Sequence, residues 1–529
     1  MKNKLVAAVI LLTVSVTVGL TGCKKFLDRK PLTATLDDLN QGAEAQVLGM
    51  YSYLRGSAGF STLPWIDFHS IRDDDAQKGS DASDGAEVNT EFETFVYTKD
   101  DWATNEYWNN HYSMVNLANQ AIGFLDSLNS GSDVATRNYG EACFFRAYAY
   151  FELVKTYGEV PLFKQEIKTA ADGIRPKSPI TDIYAFIDSN LQVAAANLPA
   201  NADAYGTGGQ YKGRLTSGSA KTLLAQAHLF RQNWAQVVSL CNQVIASGEY
   251  ELLPEFSNIW RDGVSGMYKN SKESIFEMQA HTGAGAQSNG AVYFGSDWGT
   301  CQQVRRNGAP VEWNLGWGWN TPTQKLVDAW PVTDPRRAKT ILFSGQSDGG
   351  SAAGGFGAVV PAYTNPDGTG GLAQRFWNKK LYTGNDPADR ALTGFINNNG
   401  AAPWINHRIL RYADVILMLA EASNELGNGA VAEANLELIR NRASGGLGAA
   451  RTVVPKVLFV SQAQMRTAIK AERRWEFAME GYRFYDLVRW GDAVAELGAL
   501  GYTDRCKFYP IPQKAIDLSG NVLVQNPQW

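Results

Sequence analysis

The sequence predicts a mostly α-helical fold, in which about four tetratricopeptide-like helical hairpins form a scaffold that carries long irregular insertions with little β-structure. Two stretches, residues 220–252 and 411–443, have helix–turn–helix length with small and large apolar side chains alternating at helical spacing. A third observation is the opposite pattern: Phe256–Trp404 has little helical periodicity and is rich in Gly, Asn and aromatics. A chain of 529 residues can bury a large core. Its net charge of −4 gives no general basic footprint, so nucleic acid is not an expected partner.

Met1–Cys23 has the form of an export signal. Lys2 and Lys4 precede the apolar run Leu5–Leu20, which is short for a membrane span. Leu20-Thr21-Gly22-Cys23 matches a bacterial lipobox, in which a signal peptide of residues 1–22 is removed and the Cys23 sulfur is acylated. Membrane attachment through lipid is therefore expected, and the rest is read as a single domain, residues 23–529. The four remaining cysteines, Cys143, Cys241, Cys301 and Cys506, show no zinc-ligand spacing and are expected to be mostly free thiols.

Leu36–Leu54 reads as a helix with Thr35 as its cap and Asp37 and Asp38 in the first turn. Trp65–Gly85, WIDFHSIRDDDAQKGSDASDG, breaks the periodicity. Asp73, Asp74 and Asp75 leave three readings open: a calcium loop, a ligand-contacting loop or a solvated loop; the spacing is not that of an EF-hand. No other cofactor is expected. Asp101–Leu128, residues 141–162, Thr181–Leu198, Ser217–Arg231 and Asn233–Ser247 follow as helices. Ala220, Leu224 and Ala227 allow a neighbouring helix to approach closely, and Trp234, Val238 and Val244 pack back. The scaffold thus runs from about 36 to 255 and from 405 to 495, around an insertion at about 256–404.

Within that insertion lie Tyr293, Phe294, Trp298, Trp313, Trp317, Trp319, Trp330 and Trp377, and NLGWGWN sets Trp317 and Trp319 on one face if extended. The glycine-heavy Gly345–Gly371 holds no phosphate-cradling motif. In Ala468–Asp492, Ala468, Ala471, Trp475, Ala478 and Met479 mark one helical face, and Gly481 is read as the helix C-cap. Glu472, Glu476 and Glu480 line one edge at four-residue spacing. Such a row persists if solvated or answered by arginines, so a helix-to-helix ion-pair network is expected here rather than general acid–base catalysis.

ERRWEFAMEGYRFYDLVRWG resembles the C-terminal motif of the SusD/RagB family of outer-membrane nutrient-uptake lipoproteins. Phe26-Leu27-Asp28, EACFFRAYAYFELVKTYGEVPL, DPRRAKTIL, WNKKLY and the YPIP and QNPxW of the closing segment spread the likeness from Cys23 to Trp529. The resemblance implies a SusD-like fold and a non-catalytic, cell-surface glycan-binding lipoprotein of the outer membrane. Its implied partner is a SusC-like TonB-dependent transporter, over which it acts as a hinged lid, and its ligand a neutral oligo- or polysaccharide. A RagB-like peptide-uptake role and a secreted glycoside hydrolase are the alternatives.

Sugar rings offer apolar C–H faces and equatorial hydroxyls, which rigid aromatic plates and Asp or Arg side chains can grip. The candidate ligand contacts are Trp65, Asp74, Trp102 and Trp298, with Trp317, Trp319 and Arg305 behind them. No residue is assigned a catalytic role.

Overall fold

The computed structural model describes residues 41–529 except 82, 207–210, 263–267, 281–296, 308–310, 365–370, 385–403 and 446–452. The export signal, Cys23, Phe26-Leu27-Asp28, the expected cap Thr35 with Asp37 and Asp38, and Tyr293 and Phe294 lie outside the described residues, as does part of Gly345–Gly371.

The longer helices are α1 (Gln41–Gly56), α2 (Trp102–Leu128), α3 (Asp133–Tyr157), α4 (Ile180–Asn197), α5 (Ser217–Phe230), α6 (Trp234–Ala246), α7 (Tyr412–Glu425), α8 (Gly429–Ala443), α9 (Gln462–Glu476) and α10 (Arg483–Trp490). Their ends follow local chemistry. The Asp101 carboxylate accepts from the Ala103 and Thr104 amides at the start of α2, and Ser132, Thr216 and Ser461 cap α3, α5 and α9 in the same way. Asn129 ends α2 in the left-handed conformation.

Consecutive helices from α2 to α8 pack on one another, α1 lies against α2 and α3, and α9 closes over α7 and α8. The hairpins are scattered in sequence, but α6 packs directly on α7, so the array is continuous in space across the insertion. Ala220, Ala225 and Ala227 have no exposed surface, which is what lets α5 sit close to its neighbours. Fully burying a large aliphatic side chain is worth about 1.5–3 kcal/mol, and the continuous core includes Val47, Leu153, Ile187, Val237, Leu417 and Ile469.

Among the described residues, eight short strands pair antiparallel in twos: β1 (Ala76–Gly79) with β4 (Trp319–Pro322), β2 (Ser274–Met278) with β8 (His407–Arg411), β3 (Arg306–Asn307) with β6 (Gly371–Leu372), and β5 (Ile341–Phe343) with β7 (Phe376–Asn378). β2 and β8 clamp the two roots of the insertion together and onto the scaffold. The Ser219 hydroxyl donates to the Ile275 carbonyl and the Tyr412 amide to that of Glu273. The insertion holds a second apolar core, in which Trp313 and Trp377 meet Val304, Leu315, Leu342 and Tyr382. Trp330 packs in a third with Ala478 and Met479.

One expectation is corrected at the chain's C-terminal motif. α9 stops at Glu476, so Ala478 and Met479 lie in a turn rather than on the helical face, and Met479 and Gly481 both take positive φ. The break redirects the chain so that α10 can start at Arg483.

The carboxylate row is answered by arginines, as expected, but mostly by arginines from elsewhere. Arg336 and Arg440 bind Glu472; Arg336, Arg411 and Arg442 bind Glu476; Arg411 and Lys380 bind Glu480. Burial pushes the Glu476 carboxyl up, but Arg442, Arg411 and Arg336 outweigh it and hold the group well below the usual range. Arg473 instead joins Asp414 to Asp486, and Arg489 binds Asp486 and Glu421. Cys143, Cys241, Cys301 and Cys506 are free and buried. Among the described residues no helix is long and apolar enough to cross a membrane.

Candidate functional site

The segment after β1 turns sharply. Gly79 and Gly318 both have positive φ, and Ser80 donates its amide to the Gly318 carbonyl at 2.6 Å. β1 and β4 pair in the register Gly79 opposite Trp319, which sets the Ser80–Gly85 loop over the Trp319 ring. A Cβ on Gly85 would come within 2.7 Å of that ring, so the close approach requires glycine there.

Arg305 reaches into this loop. Its Nη1 donates to Ser80 Oγ at 2.7 Å and Asp84 Oδ2 at 2.8 Å, and its Nη2 to Asp81 Oδ2 at 2.9 Å. The Trp319 indole N–H also donates to Asp84 Oδ2, at 3.3 Å. Beneath the loop, the buried Lys78 ammonium donates to the Asp81 and Asp84 carbonyls, both at 2.8 Å, and lies over the Trp319 ring. Partial burial raises the Asp84 pKa, but the Ser80 hydroxyl and Arg305 outweigh it and keep the group ionised below its ordinary value.

The side chains of Arg305, Asp81 and Asp84 are 31%, 50% and 41% exposed, so a planar donor and two acceptors remain open to solvent on a fixed base. Trp317, half-buried, stands two residues along from Trp319. This patch can exchange hydrogen bonds with several hydroxyls at once.

The other candidates lie elsewhere. Asp74 is buried, with Arg483 Nε at 2.8 Å and Lys325 Nζ at 2.6 Å, and Asp75 is held by Arg474. The Asp73 carboxylate accepts from the Asp75 and Ala76 amides. The calcium reading is therefore corrected: two of the three carboxylates are engaged by cationic side chains, and among the described residues no His, Cys, Asp and Glu cluster could hold a metal.

Trp65 and Trp298 are both 4% exposed, and Trp319 is 2% exposed, so none of the three presents a free face. Trp65 stacks on His69 at 4.1 Å between ring centroids, Trp298 stacks on His407 at 3.8 Å, and Trp65 meets Trp298 and His407 edge-on. Trp65, His69 and His407 wall one side of a cavity of about 70 Å³, lined also by Glu152, Lys155, Tyr482 and Tyr485. It is room for a few water molecules rather than a sugar. Trp102 is 41% exposed at the first turn of α2, away from these rings in sequence and contact.

Thus Arg305 and Trp319 come together at Asp84, Trp317 packs against the main core, and Asp74, Trp65 with Trp298, and Trp102 separate into three further places. The sequence reading did not single out Asp81, Asp84 or Ser80; the density of Ser, Asp and Gly in that loop was the available signal.

Two family profiles match the chain, one described as "SusD family" over residues 272–505 and one as "Starch-binding associating with outer membrane" over residues 66–229. The chain belongs to the SusD/RagB family. Among SusD-like relatives, "SusD-like protein P2" of Formosa agariphila is 26% identical over 476 residues, covering 87% of each chain. A "SusD-like protein" of Bacteroides ovatus is 26% identical over 437 residues, 76% of this chain and 68% of that one.

Among solved SusD-like structures, one titled "Laminarin binding SusD-like protein" superposes with a TM-score of 0.71 at 26% identity, over 92% of this chain and 99% of its own. Surface glycan-binding protein A from Bacteroides thetaiotaomicron, in complex with laminarihexaose, gives a TM-score of 0.71 at 21% identity, over 92% and 98%. That second likeness establishes the shared SusD-like fold.

Proposed function

We propose that this protein is a non-catalytic glycan-binding lipoprotein of the outer membrane, facing outward. It captures a neutral oligo- or polysaccharide and passes it, as a hinged lid, to a SusC-like TonB-dependent transporter. Family membership supports the reading, as do a relative named for laminarin binding and a family described as starch-binding and associated with the outer membrane.

The observation that carries it is the half-exposed Arg305–Asp81–Asp84 cluster, a fixed set of donors and acceptors at a surface. Its carboxylates share one guanidinium, which suits them to accept from sugar hydroxyls, and Asp84, held ionised below its ordinary value, keeps no proton poised for a leaving group. Lipid on Cys23 supplies the anchor in this reading, and Asp74, Trp65 and Trp298 hold the fold behind the patch.

Native affinity electrophoresis with laminarin, starch, fructan, chitin and xylan, run beside a reducing-sugar assay, tests it. Retardation without sugar release is expected. Release of reducing sugar overturns the non-catalytic reading, and no retardation by any neutral glycan overturns glycan capture. Cys23→Ala is expected to free the protein from membranes; association that survives an alkaline wash overturns the anchor.

A further inference from the structure

A second place in the fold has the marks of a ligand groove. After α3 the chain runs outward and returns, and the Ser178 amide donating to the Val160 carbonyl at 3.0 Å closes the excursion into a loop. Buried side chains pin it: Asn119 Nδ2 donates to the Phe163 and Gln165 carbonyls at 3.1 and 2.9 Å, and the Phe163 amide donates to the Tyr150 hydroxyl at 2.6 Å. The loop is therefore a rigid wall. The facing wall is α4, whose Asp182, Phe186 and Ser189 share one side at four- and three-residue spacing. Between them lies an open groove of about 710 Å³, within the range of small-molecule sites, roughly 300–1,000 Å³.

Its charge is unusual for this molecule. Most buried arginines here meet a carboxylate, but Arg146, 8% exposed, like Arg72, bonds neutral acceptors: its guanidinium donates to the Asn190 and Asn119 side-chain oxygens and to the Lys164 carbonyl. Arg146 lies 4.8 Å from the centre of the Phe186 ring, and the exposed Lys164 ammonium 5.7 Å from it. Arg175, also exposed on the groove, stands 5.7 Å from the Phe163 ring. Among the described residues none of these three cations makes an ion pair with a carboxylate, and Asp182 is the acidic side chain on the rim. Asp126 faces Arg146 and Asp172 faces Arg175 at longer range, but with no carboxylate in ion-pair contact the three cations around the half-buried Phe186 ring still favour an anion in the groove.

We propose that this groove binds an anionic oligosaccharide, one bearing carboxylate or sulfate groups. Lys164 and Arg175 pair with the acidic substituents, Phe186 supports a pyranose ring, and Asp182 and Ser189 take hydroxyls. Arg146 adds its charge from beneath. No residue of the groove belongs to the Arg305 patch, so the two sites are independent.

The test uses the full chain with oligogalacturonate, dextran sulfate and uncharged dextran as probes, followed by calorimetry and affinity electrophoresis at low and high salt. Binding of at least one anionic probe, weakened by salt and reduced tenfold or more in K164A/R175A with an unchanged melting temperature, is the expected result. Preference for oligogalacturonate identifies a uronate ligand, and preference for dextran sulfate a sulfated one. The proposal is overturned if neither anionic probe binds more tightly than dextran, or if the double variant keeps its affinity within twofold. Arg305→Ala is expected to leave the anionic-probe affinity intact; loss there instead would move this binding to the patch and overturn the groove.

Discussion

Arg483 grips Asp74 across 409 residues of chain, with Nε at 2.8 Å and Nη2 at 3.1 Å from its two carboxylate oxygens. The pair fastens the strand that begins the Ser80–Gly85 loop to the start of α10. Asp74→Asn is expected to cost about 3 kcal/mol, because breaking a buried pair leaves a charge uncompensated. Burial raises the Asp74 pKa, but Arg483, Lys325 and Arg474 outweigh it and hold it well below 3.8. The stabilisation is therefore fully present above that pH and lost as pH falls below it. Urea unfolding at pH 7 and pH 3 should show the variant's deficit shrinking in acid, with glycan affinity of the folded protein unchanged.

Arg305→Ala should do the reverse. Its bridges to Asp81 and Asp84 are half-exposed, and such pairs contribute about 0–1 kcal/mol to stability. Hydrogen bonds to a charged group are worth about 1.5–3 kcal/mol, which as lost ligand contacts is roughly tenfold or more in affinity. Weaker retardation in neutral glycan gels, with the melting temperature nearly constant, is the expected outcome.

Trp298→Ala separates core from surface in the same assay. The indole is buried and stacked on His407, so truncation is expected to cost about 3–5 kcal/mol in urea unfolding. Protein that remains folded should hold glycan as the wild type does; a binding loss without a stability loss would place the indole in the site.

These contrasts mark what was legible in the chain. The α5–α6 and α7–α8 hairpins could be read because apolar spacing within a helix is a local signal. Whether a loop tryptophan faces solvent is decided by partners distant in sequence. Trp298 is covered by His407 and Trp65, and Trp319 by Gly85 and Lys78, none of which its own neighbourhood announces. Asp74 read as a possible ligand contact for the same reason, since Arg483 lies 409 residues away. The Ser80–Gly85 loop could be recognised only as a loop, because the arginine that organises it comes from the insertion.

The histidines of the aromatic stack should make stability acid-sensitive. Burial lowers the His69 pKa to about 4 against the pull of Glu152, and burial with the nearby His69 and Arg408 lowers that of His407 to about 3. The unfolded chain therefore binds protons near pH 6.5 that the folded chain refuses, so this contribution is complete above 6.5 and is lost as pH falls toward 4. Buried acids raised by burial, such as Asp73, run the other way, which makes the difference between wild type and His407→Gln the quantity to measure. That difference in unfolding free energy should shrink by about 3 kcal/mol from pH 7 to pH 4; a constant difference would mean that His407 titrates alike in the folded and the unfolded chain.

Gly481 is where the turn after α9 meets the stack. Its φ is +79°, and a Cβ there would lie 2.5 Å from the Trp65 ring and 2.9 Å from the His69 Cβ. Gly481→Ala thus adds left-handed strain of about 1 kcal/mol to a clash that a buried indole relieves only by moving. Because Trp65 also touches Trp298 and His407, the shift propagates to the insertion's root at β8. A loss of about 2–4 kcal/mol is expected in denaturant unfolding, with tryptophan fluorescence altered in the folded baseline. A companion Trp65→Phe change, which shortens the ring facing Gly481, should recover part of the loss. Simple additivity of the two variants would show that the glycine is required by its own backbone and not by the ring above it.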